Sequence, residues 1–163
     1  MLVDILEIET DPLGVQAAAV GGSVGVKAVF DSPNYAWGQR VWLTVELDIP
    51  EGLHVYGEPI PEGYYPLSVE VEPIERVEVG PARLPTTTPF RVQGLDESFE
   101  VFTGRTRVRV PVTFMLVDGG TLDIAVKVSF QACSATECMM PQSLRFVLPM
   151  EEEPLIERPA PRA

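Results

Sequence analysis

The chain has 163 residues, of which 45% are hydrophobic, and its 12 Lys and Arg against 24 Asp and Glu give a formal net charge of −12. This length and composition favour one domain with its own hydrophobic core, and they exclude a disordered protein or a disulfide-held mini-protein. The negative charge argues against binding to nucleic acid or anionic membranes, and no segment approaches the ~20 apolar residues of a membrane-spanning helix.

The two ends of the chain differ in composition from its centre. Residues 1–23 include the small-residue run Gln16-Ala-Ala-Ala-Val-Gly-Gly-Ser23, which indicates a linker or the remnant of a preceding segment. Residues 151–163 begin with three glutamates and contain three prolines, a composition typical of an acidic, Pro-rich tail. We therefore expect residues 24–150 to form the folded domain.

Between these ends, apolar and polar residues alternate with a period of two, the pattern of strands with one buried face. No segment sustains the period of an amphipathic helix. Some eight or nine short strands, with 16 prolines and 13 glycines in the chain, predict an all-β fold, an immunoglobulin-like antiparallel β-sandwich. In chain order the expected strands are 24–30, 41–49, 53–56, 67–71, 77–79, 99–102, 107–114, 122–130 and 144–148.

The two cysteines, Cys133 and Cys138, lie on one late hairpin between the last two predicted strands. A short polar turn can bring their Cα atoms within the roughly 4.4–6.8 Å that a disulfide requires. A bond closing so small a loop stabilises a fold less than one joining distant strands. Continued strand alternation predicts that Cys133 faces solvent and that Cys138 points inward. One accessible and one buried thiol suit an attacking and resolving pair in thiol–disulfide exchange.

The spacing of the cysteines leaves three interpretations open. The pair could be a redox-active dithiol, which needs no cofactor, or a structural hairpin disulfide in a non-catalytic immunoglobulin-like interaction module. It could also bind Cu(I), with Met139 or Met140 and the single histidine, His54, as further soft ligands. Zinc is disfavoured, because one Cys-x4-Cys pair supplies too few ligands.

Two motifs resemble a known family. Gln131-Ala-Cys-Ser-Ala-Thr-Glu-Cys-Met-Met-Pro141, followed by the apolar strand 144–148, resembles the cysteine hairpin of the N-terminal periplasmic domain of the thiol:disulfide interchange protein DsbD. Upstream, Pro50-Glu-Gly-Leu-His-Val-Tyr56 resembles the family's Gly-x-His/Tyr-x-Tyr strand, and Gly63-Tyr-Tyr-Pro-Leu67 fits the segment after it. The resemblance covers residues 24–150. The chain departs from the family pattern in two respects. Four residues separate the cysteines where the best-known members have five, and the segment expected to hold the cap loop does not match the family residue for residue.

The resemblance implies what the domain does. It implies a thiol:disulfide oxidoreductase domain that takes reducing equivalents from a thioredoxin-like partner and passes them to extracytoplasmic acceptors. Cys133 and Cys138 match the redox cysteines, and His54 and Tyr56 match two aromatic positions near them. A periplasmic or otherwise extracytoplasmic location is implied, as is membership of a longer multidomain or membrane-anchored chain, without membrane insertion of this fragment.

The resemblance also implies protection and tuning of the cysteines. Order along the chain puts the family's cap loop at residues 94–102, with Phe99 as the aromatic that shields the pair; the alternative is that Phe99 is an ordinary core residue of a strand. No basic residue neighbours the cysteines in the sequence, and Glu137 disfavours a thiolate at Cys138. We therefore expect His54 or Tyr56 to supply a polar contact to the pair.

Overall fold

The computed structural model describes residues 4–8, 16–91, 98–115 and 120–152, with the side chains of 4–8 and of Gln16 left out. These residues form fourteen strands and no helix, and so they contain no helix able to cross a bilayer. The strands are β1 Asp4–Ile8, β2 Gln16–Gly21, β3 Val24–Phe30, β4 Asn34–Tyr35, β5 Arg40–Asp48, β6 His54–Tyr56, β7 Ser68–Val71, β8 Val77–Val79, β9 Thr88–Arg91, β10 Ser98–Phe102, β11 Arg105–Phe114, β12 Thr121–Phe130, β13 Ala132–Cys133 and β14 Gln142–Glu152.

The strands form three sheets. One has the order β1-β14-β12-β7, with β4 added beside the end of β14, and a second has the order β2-β3-β5-β11-β8. A smaller third sheet has the order β13-β6-β10-β9. Neighbouring strands are antiparallel, except that β1 and β4 run parallel to β14. The predicted all-β, immunoglobulin-like sandwich is confirmed, with the cysteine pair late in the chain.

The core lies between the two five-stranded sheets and follows the alternation seen in the sequence. In β5, Val41, Leu43, Val45 and Leu47 are all buried, while the residues between them reach the other face. In β12, every second residue from Ile124 to Phe130 is buried in the same cluster. Burial of this apolar surface is the dominant favourable contribution to folding.

The third sheet buries side chains on both faces. Val55, Phe102 and Ala132 belong to the main core. On the opposite face, a second and smaller cluster contains Tyr56, Phe99, Val101 and Cys133. This separation places one cysteine in a satellite cluster and leaves the main core, as far as the structure describes it, without a cysteine.

The structure differs from the linker predicted over residues 1–23. Asp4–Ile8 pairs in parallel with β14, and Gln16–Gly21 pairs along its whole length with β3. The small residues of this run indicated a linker, but in the structure they allow β2 to pack closely against its neighbours. A Cβ at Gly21 would lie 2.9 Å from Cζ of Phe130. Most of the predicted tail, residues 153–163, lies outside the described residues, and Glu151 and Glu152 complete β14.

The position of the core can be tested with one substitution made at two sites. Val45 is fully buried in β5, whereas Val20 in β2 is 63% exposed. We expect Val45→Ala to lower the free energy of unfolding by about 2 kcal/mol, through lost burial and the cavity left behind. Val20→Ala should change it by less than about 0.5 kcal/mol. Urea unfolding measures both, and equal losses would contradict the described packing.

Candidate redox site

Cys133 and Cys138 form a disulfide at the tip of a tight hairpin, with their Cα atoms 4.0 Å apart. The turn is closed by its own polar groups. The amide of Ser134 donates to the carbonyl of Glu137 at 2.8 Å, and the Ser134 hydroxyl accepts from the amides of Thr136 and Glu137. These bonds hold the two cysteines side by side.

The predicted exposure of the two cysteines is wrong, because the structure reverses it. Cys133 is only 1% exposed, whereas Cys138 is exposed. The strand alternation of β12 does not continue through Gln131, where the chain leaves the first sheet and enters the third. The Gln131 side chain stabilises this crossing, accepting from the Tyr65 amide and donating to the Met139 carbonyl, each at 3.3 Å.

Backbone pairing brings the predicted site residues onto one face of the third sheet. Cys133 pairs with His54 of β6 on one side and with Cys138 of the hairpin on the other. Residues directly opposite each other in a sheet point to the same face, so the three side chains form a row. Tyr56, two residues after His54, shares this face.

A small cleft of about 130 Å³ opens beside the exposed cysteine. The Tyr56 hydroxyl lies 3.5 Å from Sγ of Cys138 and is the group that can donate a hydrogen bond to it. Aromatic rings line the cleft: the His54 ring centroid is 4.2 Å from that of Phe90, and the Tyr56 centroid is 5.2 Å from that of Tyr64. The full lining is His54, Tyr56, Tyr64, Phe90 and residues 134–138.

Burial sets the protonation of the two polar aromatic residues. It raises the pKa of Tyr56, an effect to which Tyr64 adds, so the Tyr56 hydroxyl keeps its proton and remains a donor. Burial lowers the pKa of His54, which favours the neutral ring. The Nε2 atom of His54 is buried and has no hydrogen-bond partner.

Phe99 lies on the same face but beneath the surface. It is 1% exposed, and its ring centroid is 5.4 Å from that of Tyr56 and 5.2 Å from that of Tyr64. It pairs across the β9–β10 hairpin with Phe90, which lines the cleft directly. Residues 94–97 of the predicted cap loop lie outside the described residues.

Sequence reasoning missed Phe90 as a site residue. Its strand, β9, contains Pro89 and was not among the expected strands. Proline is tolerated there because β9 is the edge strand of the third sheet. Phe90 lies nine residues before Phe99, a spacing at which two adjacent antiparallel strands can pair these residues, and this spacing is the sequence signal that indicates Phe90.

The Cu(I) interpretation gains little from the geometry. Met139 packs against the main core, and Met140 is 62% exposed. Within the described ranges, no group of three or more His, Cys, Asp or Glu residues is arranged to hold a metal ion.

Comparison with known proteins identifies the family of the chain. Residues 26–149 match the family described as thiol:disulfide interchange protein DsbD, N-terminal. The chain belongs to this family. The fold brings together the segments that carried the resemblance: the cysteine hairpin pairs with the His54–Tyr56 strand, and Tyr64 of residues 63–67 lines the same cleft.

Two solved structures are similar to the chain. The N-terminal periplasmic domain of ScsB from Proteus mirabilis has a TM-score of 0.55 at 14% identity, covering 78% of this chain and 49% of that one. The DsbD N-terminal domain of Neisseria meningitidis, in the reduced form, has a TM-score of 0.47 at 14% identity, covering 67% and 77%. The chain thus spans about half the length of the ScsB chain, and that likeness shows the fold. No curated protein sequence matches the chain.

The exposure of the cysteines predicts their order of reaction. In the reduced protein, an alkylating reagent supplied below the thiol concentration should label mainly Cys138, because access controls the reaction and Cys133 is buried. A second reagent added after denaturation labels the remaining thiols. Peptide mass spectrometry then gives the ratio of first to second label at each cysteine. Preferential labelling of Cys133 would contradict the described hairpin.

The contact between Tyr56 and Cys138 predicts an effect on thiolate formation. Tyr56→Phe removes the hydroxyl that can donate to Sγ of Cys138 and should therefore make the Cys138 thiolate less favourable in the reduced protein. A hydrogen bond worth about 1 kcal/mol corresponds to about fivefold slower alkylation at neutral pH. Tyr35→Phe is the matched control, since the Tyr35 hydroxyl bonds to the carbonyl of Gly120 instead. Equal alkylation rates in both variants and wild type would exclude the effect.

Proposed function

We propose that this domain exchanges a dithiol for a disulfide with a partner protein, with Cys138 as the attacked and attacking cysteine and Cys133 as the resolving cysteine. The observation that carries the proposal is the pairing of an exposed sulfur with a buried one at the edge of an aromatic cleft. Membership of the DsbD N-terminal family supports it. No cofactor is needed for this chemistry.

The exposure of Cys138 determines which sulfur a partner attacks first in the proposed reduction. A partner thiolate attacks Sγ of Cys138, the bond to Cys133 breaks, and Cys133 leaves as a thiolate that takes up a proton. A second partner thiolate then attacks the partner sulfur of the mixed disulfide and releases Cys138 as a thiolate, which is also protonated. The partner leaves as a disulfide, so two electrons pass to the domain, and the reverse sequence passes them to an oxidised acceptor.

The proposed partners are thioredoxin-like proteins or domains as donors, and extracytoplasmic disulfide proteins as acceptors. The cleft beside Cys138 offers room for the residues that flank a partner cysteine. We further propose a periplasmic setting within a longer chain, supported by the formed disulfide and by the solved structures, which are described as periplasmic or DsbD N-terminal domains.

The alternative of a purely structural disulfide has less support. The bond spans five positions, so it constrains the unfolded chain only slightly. Cys133 packs in the satellite cluster and not in the main core. The fold as described therefore does not depend on the bond for its central packing.

A shielding role for Phe99, expected from the resemblance, also belongs to the proposal. The ring supports Tyr56 and Tyr64 from below, so it would act through these two residues and not by covering the sulfur itself. In this view the aromatic cluster limits access of small oxidants to the reduced pair from one side.

Trapping an intermediate tests the proposed exchange. Cys133→Ser is first treated with the aromatic disulfide DTNB, so that Cys138 carries thionitrobenzoate in a disulfide. A reduced thioredoxin variant without its resolving cysteine should displace the thionitrobenzoate and accumulate as a mixed disulfide with Cys138, because neither protein then has a resolving thiol. Cys138→Ser is the matched control and should accumulate little, because its remaining thiol is buried. Non-reducing gel electrophoresis and mass spectrometry detect the adduct.

The reduction potential of the wild-type cysteine pair is a second measurement that distinguishes an exchanging pair from a structural disulfide. Structural disulfides of secreted proteins have potentials below about −300 mV, and a pair that exchanges electrons with partners should lie above that value. Equilibration with glutathione or thioredoxin buffers measures it. A potential well below this limit, together with no adduct in either variant, would support the structural module instead.

A further inference from the structure

His54 carries the one buried side-chain nitrogen or oxygen that lacks a hydrogen-bond partner among the described residues. The residue is 4% exposed, and the unpartnered atom is Nε2. Leaving such an atom buried and unpaired destabilises the folded protein. A group retained at this cost beside a reactive disulfide points to a task in the reaction.

The surroundings of His54 suit a proton acceptor. The imidazole packs against the rings of Phe90 and Tyr56, which restrict its movement. A neutral imidazole has one nitrogen that accepts a proton, and burial favours that neutral form. The ring projects from the sheet position directly opposite Cys133, on the same face.

Cys133 needs a proton acceptor when it resolves a mixed disulfide. Only its thiolate can attack, but burial disfavours the charged form and separates the thiol from bulk water. Neither Lys nor Arg lies among the residues that line the cleft. His54 is thus the basic group that the sheet pairing brings next to this thiol.

We propose, on the basis of the proposed exchange function, that His54 accepts the proton of the Cys133 thiol during resolution. With a partner bound through Cys138, the thiol proton moves from Sγ of Cys133 to Nε2 of His54. The Cys133 thiolate attacks Sγ of Cys138, re-forming the disulfide, and the partner sulfur leaves with the electron pair. The imidazolium then gives its proton to the departing thiolate or to water, and His54 is neutral again.

The other titratable groups facing His54 fit this sequence. The hydroxyls of Tyr56 and Tyr64 and the thiol of Cys138 face the cleft, together with the Glu137 carboxylate from the hairpin turn. Glu137 supplies the one carboxylate among these groups, and His54 supplies the one imidazole that can take up the Cys133 proton. Resolution should therefore remain fast at pH values where an unaided buried thiol would be fully protonated.

The test separates the two sulfur reactions in time. Reduced protein is mixed with the aromatic disulfide DTNB, which releases one thionitrobenzoate when Cys138 attacks and a second when Cys133 resolves the adduct. In His54→Gln and His54→Phe we expect the second release to slow by at least about tenfold at neutral pH and to recover only at alkaline pH. The first release should change far less in both variants.

Two substitutions are used because they disturb the site differently. Gln keeps a polar side chain without a basic nitrogen, and Phe keeps an aromatic ring against Phe90. Circular dichroism and thermal unfolding establish that each variant is folded. Because the chain has a single histidine, its imidazole signals in NMR spectra report the protonation of His54 directly in the wild type.

Three outcomes would overturn the proposal. A second release with wild-type rate and pH profile in both variants would show that His54 takes no proton. Slowing by one factor at every pH, with an unchanged profile, would show that the ring only supports the packing. Release of a single thionitrobenzoate by wild type would instead refute the exchange function itself, and this inference with it.

Discussion

The backbone pairing of Cys133 is the constraint on which the site depends. One edge of this residue pairs with His54, and the other pairs with Cys138 across the hairpin. The pairing places three reactive side chains in a row on one face of the third sheet. This pairing forms because the chain passes from the first sheet to the third at Gln131. The Gln131 side chain is hydrogen-bonded to the backbone of Tyr65 and of Met139.

The two faces of the third sheet have different roles, since one packs in the main core and the other carries the cysteine site. One face supplies Val55, Phe102 and Ala132 to the main core, so the sheet is anchored by the same apolar burial that holds the sandwich together. The opposite face can therefore carry a disulfide that opens and closes. In the proposed function, reduction breaks a bond in the satellite cluster, which is separate from the main core between the two large sheets.

The site combines access and protection through unequal burial of two neighbouring sulfurs. Cys138 is exposed and, in the proposed function, meets the partner, while Cys133 and the aromatic rings packed with it are buried away from water. Excluding water strengthens local polar interactions but disfavours a buried thiolate. In the proposed mechanism, the unpartnered Nε2 atom of His54 accepts the Cys133 proton and so allows the buried thiolate to form during resolution.

The sequence by itself determined the long strands of the sandwich, the fold class and the position of the cysteine pair. Strand alternation with a period of two predicted β5, β11 and β12, because burial of one face imposes that pattern on any strand of a sandwich. The two motifs identified the cysteine pair with His54 and Tyr56. Only the tertiary structure decided which cysteine is exposed, because alternation holds within one strand and ends where Gln131 moves the chain to another sheet. It also decided that Phe90 lines the cleft, because its ring packs against His54, which is far away in the sequence. Residues 16–21 form a strand because they pair with the neighbouring β3, and their small residues do not announce that pairing.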